Sequence, residues 1–546
     1  MTTAEATGQT STNSGRAVLF ATILGASMVF IDSTALNVVL PALQRDLHAT
    51  GTDLLWISNA YTLLLASGIL VGGSLGDHYG RKRVYMLGIA LFSAASLVAG
   101  LAPNPGFLIL SRIVQGAGGA LMVPGSLAII SANFDANSRG RAIGLWSAFA
   151  SLTTVLGPIL GGFLASQGLW RGVFFINLPL AVLALVTLYL RVPESRDETL
   201  TRRLDYAGAL TASLGLAGLT YSLTEVPTRG WSSPLILLTF FGGLVALAAF
   251  IAIETRTPEP MVPFHLFRSR TFTGTNLMTL FLYGALYSNL FFFPLNLIQV
   301  QGYSASLAGF TLLPFAILLT LMSRWAGGLA DRYGPRWLLT LGPAIVGVGF
   351  ALLAVPGLTH GPSDYWIAYF PAFLLLGAGM GLTVAPLTTA VMGFVSSNHA
   401  GIASGINNAV SRTAGVLALA TIGALALLLF NTALATRSAP LPLSPADRTA
   451  LQAEAAQLGG AQPPASLTPD VRDQVQQAIH LAFVDTFRVI MLIGAVLAWM
   501  SALLAAVFVD KKQAPAAEPG VETAAAPGRG SPPARAAFYK EFTGAV

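Results

Sequence analysis

The sequence predicts an all-helical protein that crosses a membrane many times and is assembled from two like halves. Three observations carry this. First, 54% of the 546 residues belong to the apolar and aromatic set and only 10% are charged; a soluble chain carries about 25% charged residues. A chain this long could not cover its surface with so few. Second, the apolar residues gather in long, nearly uncharged stretches. Third, segments with one unusual pattern of glycine and charge recur in the same order. Disorder is excluded, since it needs low hydrophobicity. The 56 Gly and 31 Pro follow no collagen period. The absence of Cys excludes disulfides, thiolate catalysis and Cys-ligated metal.

Apolar stretches of about 18 residues or more read as membrane helices. Fourteen are present, at 17–41, 54–75, 84–101, 107–131, 142–166, 172–191, 206–225, 234–253, 272–296, 304–329, 337–356, 366–394, 400–430 and 486–509. Many contain Gly or Pro, which membrane helices tolerate. A soluble helical bundle would need polar faces, and 84–101 has none. An even number of spans puts both termini on one side. With the termini inside, 20 of the 30 Lys and Arg fall on the inner side, seven outside and three within spans. The positive-inside rule therefore makes both termini cytoplasmic. Topology accounts for the net charge of +6, so no nucleic-acid partner is required. Residues 1–15 lack the basic start and apolar core of a signal peptide, and the first span is read as an uncleaved anchor.

The expected organisation is a cytoplasmic tail at 1–16, a six-helix bundle at 17–191, a linker with two extra spans at 192–256, a second six-helix bundle at 257–509 and a disordered cytoplasmic tail at 510–546. Within the second bundle, 431–485 forms a long outer loop. Ser444-Pro445-Ala446-Asp447 and Thr468-Pro469-Asp470 pair a helix-capping residue with Pro in the first turn, and predict two short surface helices there.

The repeat supports this division. Gly73-Ser74-Leu75-Gly76-Asp77-His78-Tyr79-Gly80-Arg81-Lys82-Arg83 lies between spans 2 and 3, and Gly327-Gly328-Leu329-Ala330-Asp331-Arg332-Tyr333-Gly334-Pro335-Arg336 between spans 10 and 11. Gly116-Ala117-Gly118 matches Gly377-Ala378-Gly379, and the pair Gly140 and Gly144 matches Gly401 and Gly405. The offsets are 254, 261 and 261 residues. Spans 1–6 thus correspond to spans 9–14 in parallel orientation, with 7 and 8 inserted. Parallel repeats with a site at their interface are a transporter device.

At these residues the chain resembles the major facilitator superfamily, and within it the fourteen-span drug:proton antiporter branch, over about residues 17–510. Gly73–Arg83 resembles the superfamily's signature loop. Phe30-Ile31-Asp32-Ser33-Thr34-Ala35-Leu36-Asn37-Val38-Val39-Leu40-Pro41 resembles the branch's first-span motif, and Arg112-Ile113-Val114-Gln115-Gly116-Ala117-Gly118 its fourth-span motif. Gly157-Pro158-Ile159-Leu160-Gly161-Gly162, with Gly144 upstream, resembles the antiporter motif of span 5. Two departures stand out: Thr153 occupies a position where that motif carries Gly, and Pro294-Leu295-Asn296-Leu297-Ile298-Gln299 differs from the branch's pattern after span 9. The resemblance implies a proton-coupled multidrug exporter that uses the proton gradient and no cofactor.

A charge at bilayer depth costs roughly 2.5–3.5 kcal/mol on insertion scales, so Asp32, Arg112, Arg324 and Arg412 each need a reason. Asp32 is the one acid deep in a span. It lies 16 residues past Arg16, about 24 Å up the helix, at a depth similar to that of Arg112. The two are expected to act in proton coupling, with Arg112 competing for the charge of Asp32; a static pair joining spans 1 and 4 is the alternative. Arg324 is expected to snorkel, and Arg412 either tethers helices or faces a cavity. Asn37, Gln115, Asn276, Tyr283, Tyr287, Asn289, Asn296, Gln299 and Arg412 are candidates for a large, mostly apolar cavity, since amides are costly against lipid. Gly73, Asp77, Gly80, Arg81, Lys82, Asp331 and Arg336 form the candidate gate. There the resemblance implies that Asp77 caps a helix across the interface of the halves, latching the inward-closed state. Gly144, Gly157, Pro158, Gly161 and Gly162 are expected to pack helices closely, and the resemblance implies that they also seal the cavity against proton leak; both can hold together.

No phosphate-binding Gly-x4-Gly-Lys-Ser/Thr loop is present. His48, His78, His265, His360, His399 and His480 are scattered, so no metal site is expected, nor is enzyme activity. The sequence-based expectation is a monomeric exporter of amphipathic small molecules in the bacterial cytoplasmic membrane, with protons and the lipid bilayer as its other partners. A flippase or exporter of lipids or endogenous amphiphiles, and a non-transporting sensor or scaffold, stay open.

Overall fold

The computed structural model describes residues 4–196, 205–258, 260–393 and 400–510, and among these no strand occurs. The long helices run Gly15–Leu47 (α1), Gly51–Tyr79 (α2), Arg81–Gly100 (α3), Pro105–Asn133 (α4), Arg141–Ser166 (α5) and Gly172–Arg191 (α6). Then follow Tyr206–Arg229 (α7) and Pro234–Glu254 (α8). The second half holds Arg270–Val300 (α9), Ala305–Ala330 (α10), Arg336–Leu353 (α11), Phe370–Met392 (α12), Ile402–Ser438 (α13) and Pro469–Phe508 (α14). Every predicted span falls on one of them. Thirteen are long and apolar enough to cross a membrane. The remaining one, α7, is made more polar by Thr220, Ser222, Thr224 and Glu225. Residues ahead of Gly15 wind onto α1 from Ala4, with no Pro before Pro41 to stop them.

The helices pack by one scheme used twice. In the first half α1 packs on α5 and α6, α4 on α2 and α3, and α3 on α6. In the second, α9 packs on α13 and α14, α12 on α10 and α11, and α11 on α14. Adding eight to each helix number turns the first set into the second. Small residues set the closest crossings in both halves. A Cβ on Gly116 would stand 2.4 Å from Tyr61 O in α2, and one on Gly377 would stand 2.5 Å from Phe315 O in α10. Gly80 and Gly334 end α2 and the helix through α10 at φ 108° and 83°, values favourable for glycine alone.

The halves meet where α5 packs on the start of α10 and where α2 packs on α13, two contacts that the same numbering rule relates. The inserted α7 packs on α8, and also on α2 and α13. Leu63, Leu216 and Val416 form the cluster that joins it to both, and Trp56 Nε1 donates to Glu225 Oε1 at 2.8 Å. It therefore lies across the seam between the halves.

One predicted loop helix is found at Pro445–Glu454, capped by Ser444, which accepts from Asp447 N. The second is not separate: Pro469 opens α14, a helix of 40 residues, because no proline interrupts it. The segment Ala455–Gly460 tucks between the halves on the face opposite the termini.

Candidate functional site

The first half holds a buried polar network. Asp32 on α1 and Arg112 on α4 are 0% and 1% exposed and pair at 2.5 Å. Gln115, one turn after Arg112, accepts from its Nη1 at 2.6 Å. Gln115 Nε2 donates to the other carboxylate oxygen of Asp32 at 2.7 Å and to Ser96 Oγ at 2.8 Å. Asn177 Nδ2 on α6 also donates to Ser96. Arg112 Nε donates to Ile57 O on α2, and its guanidinium lies 4.2 Å over the Tyr61 ring. Five helices thus join one network, in which, among the described residues, α4 alone bonds the Asp32 carboxylate. Two charges removed from water repay their desolvation only when the remaining polar atoms are bonded; here both carboxylate oxygens are.

The centre of the molecule lies between this network and the second half. A polar cavity of about 50 Å³ is lined by Ser33, Asn37, Ser58, Asn59, Tyr61 and Arg112 from the first half, and by Tyr287 and Arg412 from the second. Arg412 Nη1 donates to Tyr287 OH at 3.3 Å. A second cavity of about 150 Å³ adjoins it through Asn37. Its walls are mostly apolar, formed by Val155, Pro158, Leu290, Leu312, Phe315 and Leu319, with Thr34, Thr154 and Thr320.

Not every predicted cavity residue reaches these spaces. Asn37, Tyr287 and Arg412 do. Gln115 is buried in the Asp32 network instead. Asn276 donates to Phe272 O and accepts from Asn407. Asn289 bonds Met491 Sδ, and Asn296 bonds Tyr369 OH, both inside the second half. Tyr283 packs beside Tyr287, with ring centroids 6.4 Å apart. The physical reason is helical: these residues wind round α9, and one face cannot carry them all. Asn59, Tyr61 and Ser58 were not singled out from the sequence, although an amide and hydroxyls inside an apolar span were the available signal.

Away from the termini, the halves are closed against each other. Gln299 Nε2 donates to Gln44 Oε1 at 2.7 Å, and Gln44 Nε2 to Gln457 O at 3.0 Å, so the loop joins this contact. Ser306 Oγ bonds Ser166 Oγ at 2.7 Å. A Cβ on Gly162 would lie 2.4 Å from Ala305 O, and one on Gly309 2.3 Å from Pro158 O. Gly157 and Gly161 face α1 instead, where an added Cβ would lie 1.9 Å from Thr34 Oγ1 and 2.6 Å from Ala35 O. Thr153 bonds carbonyls of its own helix. Towards the termini the same helices stand apart: among the described residues, nothing lies within 4 Å of a Cβ on Gly144, Gly327 or Gly328.

The gate residues are on that open face. Asp77 accepts from Arg81 Nε at 2.8 Å, within its own loop. Among the described residues, no hydrogen bond joins Asp77 to the second half. A Cβ on Gly80 would meet the Glu194 carboxylate at 2.8 Å, which accepts from the backbone N–H of Lys82 and Arg83. Lys82 Nζ donates to Val192 O at 2.7 Å. A Cβ on Gly73 would lie 3.5 Å from Pro124. Arg336 bonds Ala506 O, tying α11 to α14. Arg324 is exposed. The side chain of Asp331, and His399, lie outside the described residues.

Two like six-helix bundles, meeting round a central polar space that is closed at one face and parted at the other, define a membrane transport protein of the two-half, alternating-access build. The chain belongs to the Major Facilitator Superfamily, whose family model matches residues 22–419. It is 34% identical over 406 residues to the multidrug resistance protein Stp of Mycobacterium tuberculosis, covering 74% of each chain. It is 29% identical over 492 residues to the tetracenomycin C resistance and export protein of Streptomyces glaucescens, covering 89% and 90%. It is 31% identical over 417 residues to the methylenomycin A resistance protein of Bacillus subtilis, covering 76% and 88%. In fold it is similar to a bacterial homolog of the human lysosomal transporter Spinster, with a TM-score of 0.59 at 18% identity, covering 92% of this chain and 99% of that one. It is likewise similar to the xylose transporter XylE from E. coli, with a TM-score of 0.56 at 14% identity, covering 92% and 99%.

Proposed function

We propose that this chain is a proton-coupled exporter of amphipathic small molecules, working as a monomer by alternating access in the bacterial cytoplasmic membrane with both termini in the cytoplasm. The observation that carries the reading is the fully buried Asp32–Arg112 pair beside a cavity that both halves line. A proton on Asp32 and an ion pair with Arg112 exclude one another. Proton loading therefore changes which groups tie α1 to α4, and α1 also packs on α5, a helix of the interface. Relatives named for multidrug and antibiotic resistance support the cargo class. The positive-inside count supports the orientation, which makes the face open here the cytoplasmic one.

The test is proton flux in proteoliposomes on addition of an amphipathic dye, with anionic dansylaminoundecanoate, its neutral methyl ester and cationic ethidium supplied in turn. Wild type releases protons in exchange for the dye, and Asp32→Asn does not. Coupled exchange by Asp32→Asn at the wild-type rate would sink the proton-carrier role, and dye movement with no proton movement in wild type would sink antiport altogether.

A further inference from the structure

The polar cavity is rich in hydrogen-bond donors and holds an unbalanced cation. Arg412 carries five N–H donors, of which one is engaged among the described residues, to Tyr287. Among the described residues no carboxylate lies within ion-pair distance of it; Asp32, the acid of this region, is taken by Arg112 and by Gln115. On α2, polar atoms have no hydrogen-bond partner among the described residues: both amide atoms of Asn59, the Tyr61 hydroxyl and the Ser58 hydroxyl. Asn59 and Tyr61 are each 1% exposed, and all three residues line the same cavity as Arg412. Buried polar groups are rarely left unbonded without a reason, and here the three residues that carry four such atoms line one space beside a cation. Structural use of these residues would have paired them with one another or with a neighbouring carbonyl, as Thr62 pairs with Ser58 O.

We infer that Arg412, with Asn59, Tyr61 and Ser58, forms a subsite for an anionic oxygen group of the cargo, a carboxylate or an ionised enol or phenol. The inference rests on the export reading and narrows it to acidic amphiphiles. The geometry gives the rest of such a molecule a place: Asn37 lines both the polar cavity and the apolar one, so a head held at Arg412 continues directly into a tail among Leu290, Phe315 and Leu319. Guanidinium suits planar oxyanions, to which its fork can donate two parallel hydrogen bonds. Because Arg412 belongs to the second half and the unpaired α2 groups to the first, the head group touches both bodies whose relative movement constitutes transport.

The experiment is equilibrium binding to the purified full chain, read by probe fluorescence, with dansylaminoundecanoate, its methyl ester and a dansyl alkyl trimethylammonium of matched length. Wild type is expected to bind the carboxylate at least about tenfold more tightly than the ester, in line with a charge-assisted bond, and the cation least. Arg412→Gln is expected to bring the carboxylate-to-ester ratio close to one, and Arg412→Lys to restore part of it. Asn59→Leu, which leaves the cation in place, is expected to reduce the ratio by a smaller factor and serves if the Arg412 variants do not fold. Equal binding of carboxylate and ester by wild type, tightest binding of the cation, or a ratio unchanged by Arg412→Gln would each overturn the subsite. Export is scored separately by proton exchange with each of the anionic, neutral and cationic probes named above, measured against protein-free liposomes. Exchange without carboxylate preference refutes the subsite alone, and carboxylate preference without exchange refutes the export reading alone.

Discussion

A single methyl group placed at either end of α5 gives two different predictions. At Gly162 an added Cβ would lie 2.4 Å from Ala305 O, 3.0 Å from Ala305 C and 3.1 Å from Ser306 Cα. All three are backbone atoms, so no side chain can swing aside. Ordinary carbon contacts are about 3.5–4.0 Å, and α5 and α10 must part by about 1 Å to reach them. Overpacking of this kind costs about 1–3 kcal/mol. It is charged only to the arrangement in which these ends touch. At Gly144 an added Cβ meets nothing within 4 Å among the described residues. The helix-propensity gain of about 1 kcal/mol from Gly→Ala is common to both sites and both arrangements. Gly162→Ala therefore shifts the equilibrium towards the state open on the loop face by about 5- to 150-fold, and Gly144→Ala does not. The chain has no Cys, so a single Gln44→Cys reports directly. Gln44 is 3% exposed at the closed contact, and its replacement is common to every variant compared. Alkylation by a membrane-impermeant maleimide is expected to accelerate at least about fivefold in Gly162→Ala and not to accelerate in Gly144→Ala. Equal rates in the two variants would refute the view that these backbones limit opening.

Three further outcomes follow from the same geometry. Asp32→Asn strands the Arg112 charge in the interior, at a cost of about 3–5 kcal/mol. Thermal unfolding in detergent should show the loss, and Asp32→Asn with Arg112→Gln should recover most of it without recovering proton coupling. Gln299→Leu removes the bond between Gln299 and Gln44 and should weaken the closed face by about 0.5–1.5 kcal/mol, read as faster maleimide labelling of a Cys placed at Leu55. In the loop, hydrogen bonds from Ser444 and then Ser466 hold the Asp447 carboxyl below its ordinary range. Its folded value is the lower one, so its stabilising contribution is complete above the ordinary carboxylate range and is lost as pH falls through the folded value. Hydrogen exchange of Pro445–Glu454 should rise on acidification into that range, and Asp447→Asn should remove the dependence.

Much of this architecture is legible in the sequence because membrane solvent imposes a simple code. Apolar length marks the spans, and the offsets between Gly80 and Gly334, or Gly116 and Gly377, mark the halves. Depth arithmetic along α1 and α4 brings Asp32 near Arg112, since helix rise is fixed. Azimuth is where the reading runs out. Asn276, Asn289 and Asn296 look alike on a helix that is apolar all round, and only the packing of α14, α12 and α13 against it shows which way each turns. The same holds for Gln115, which the motif places near the cavity and the folded chain buries behind Arg112. Asn59 and Tyr61 carry no motif, and Gln44 sits beyond the predicted end of its span. Their importance lies in partners that α9, α13 and the loop bring from far along the chain.

The position of α7 makes the two sides of the molecule unequal. The contacts α2–α13 and α5–α10 are equivalent within the repeat, and each forms a seam facing lipid. At the first seam α7 lies across both helices and α8 stands behind it, so a solute dissolved in the bilayer meets a double wall. At the second seam the described residues place no inserted helix: Phe163, Phe310 and Ile317 are exposed there, and the mainly apolar cavity has its walls in those two helices. The inserted pair thus breaks the symmetry of lateral access, and leaves one side, the one with an oily pocket behind it, as the shorter path between membrane and centre.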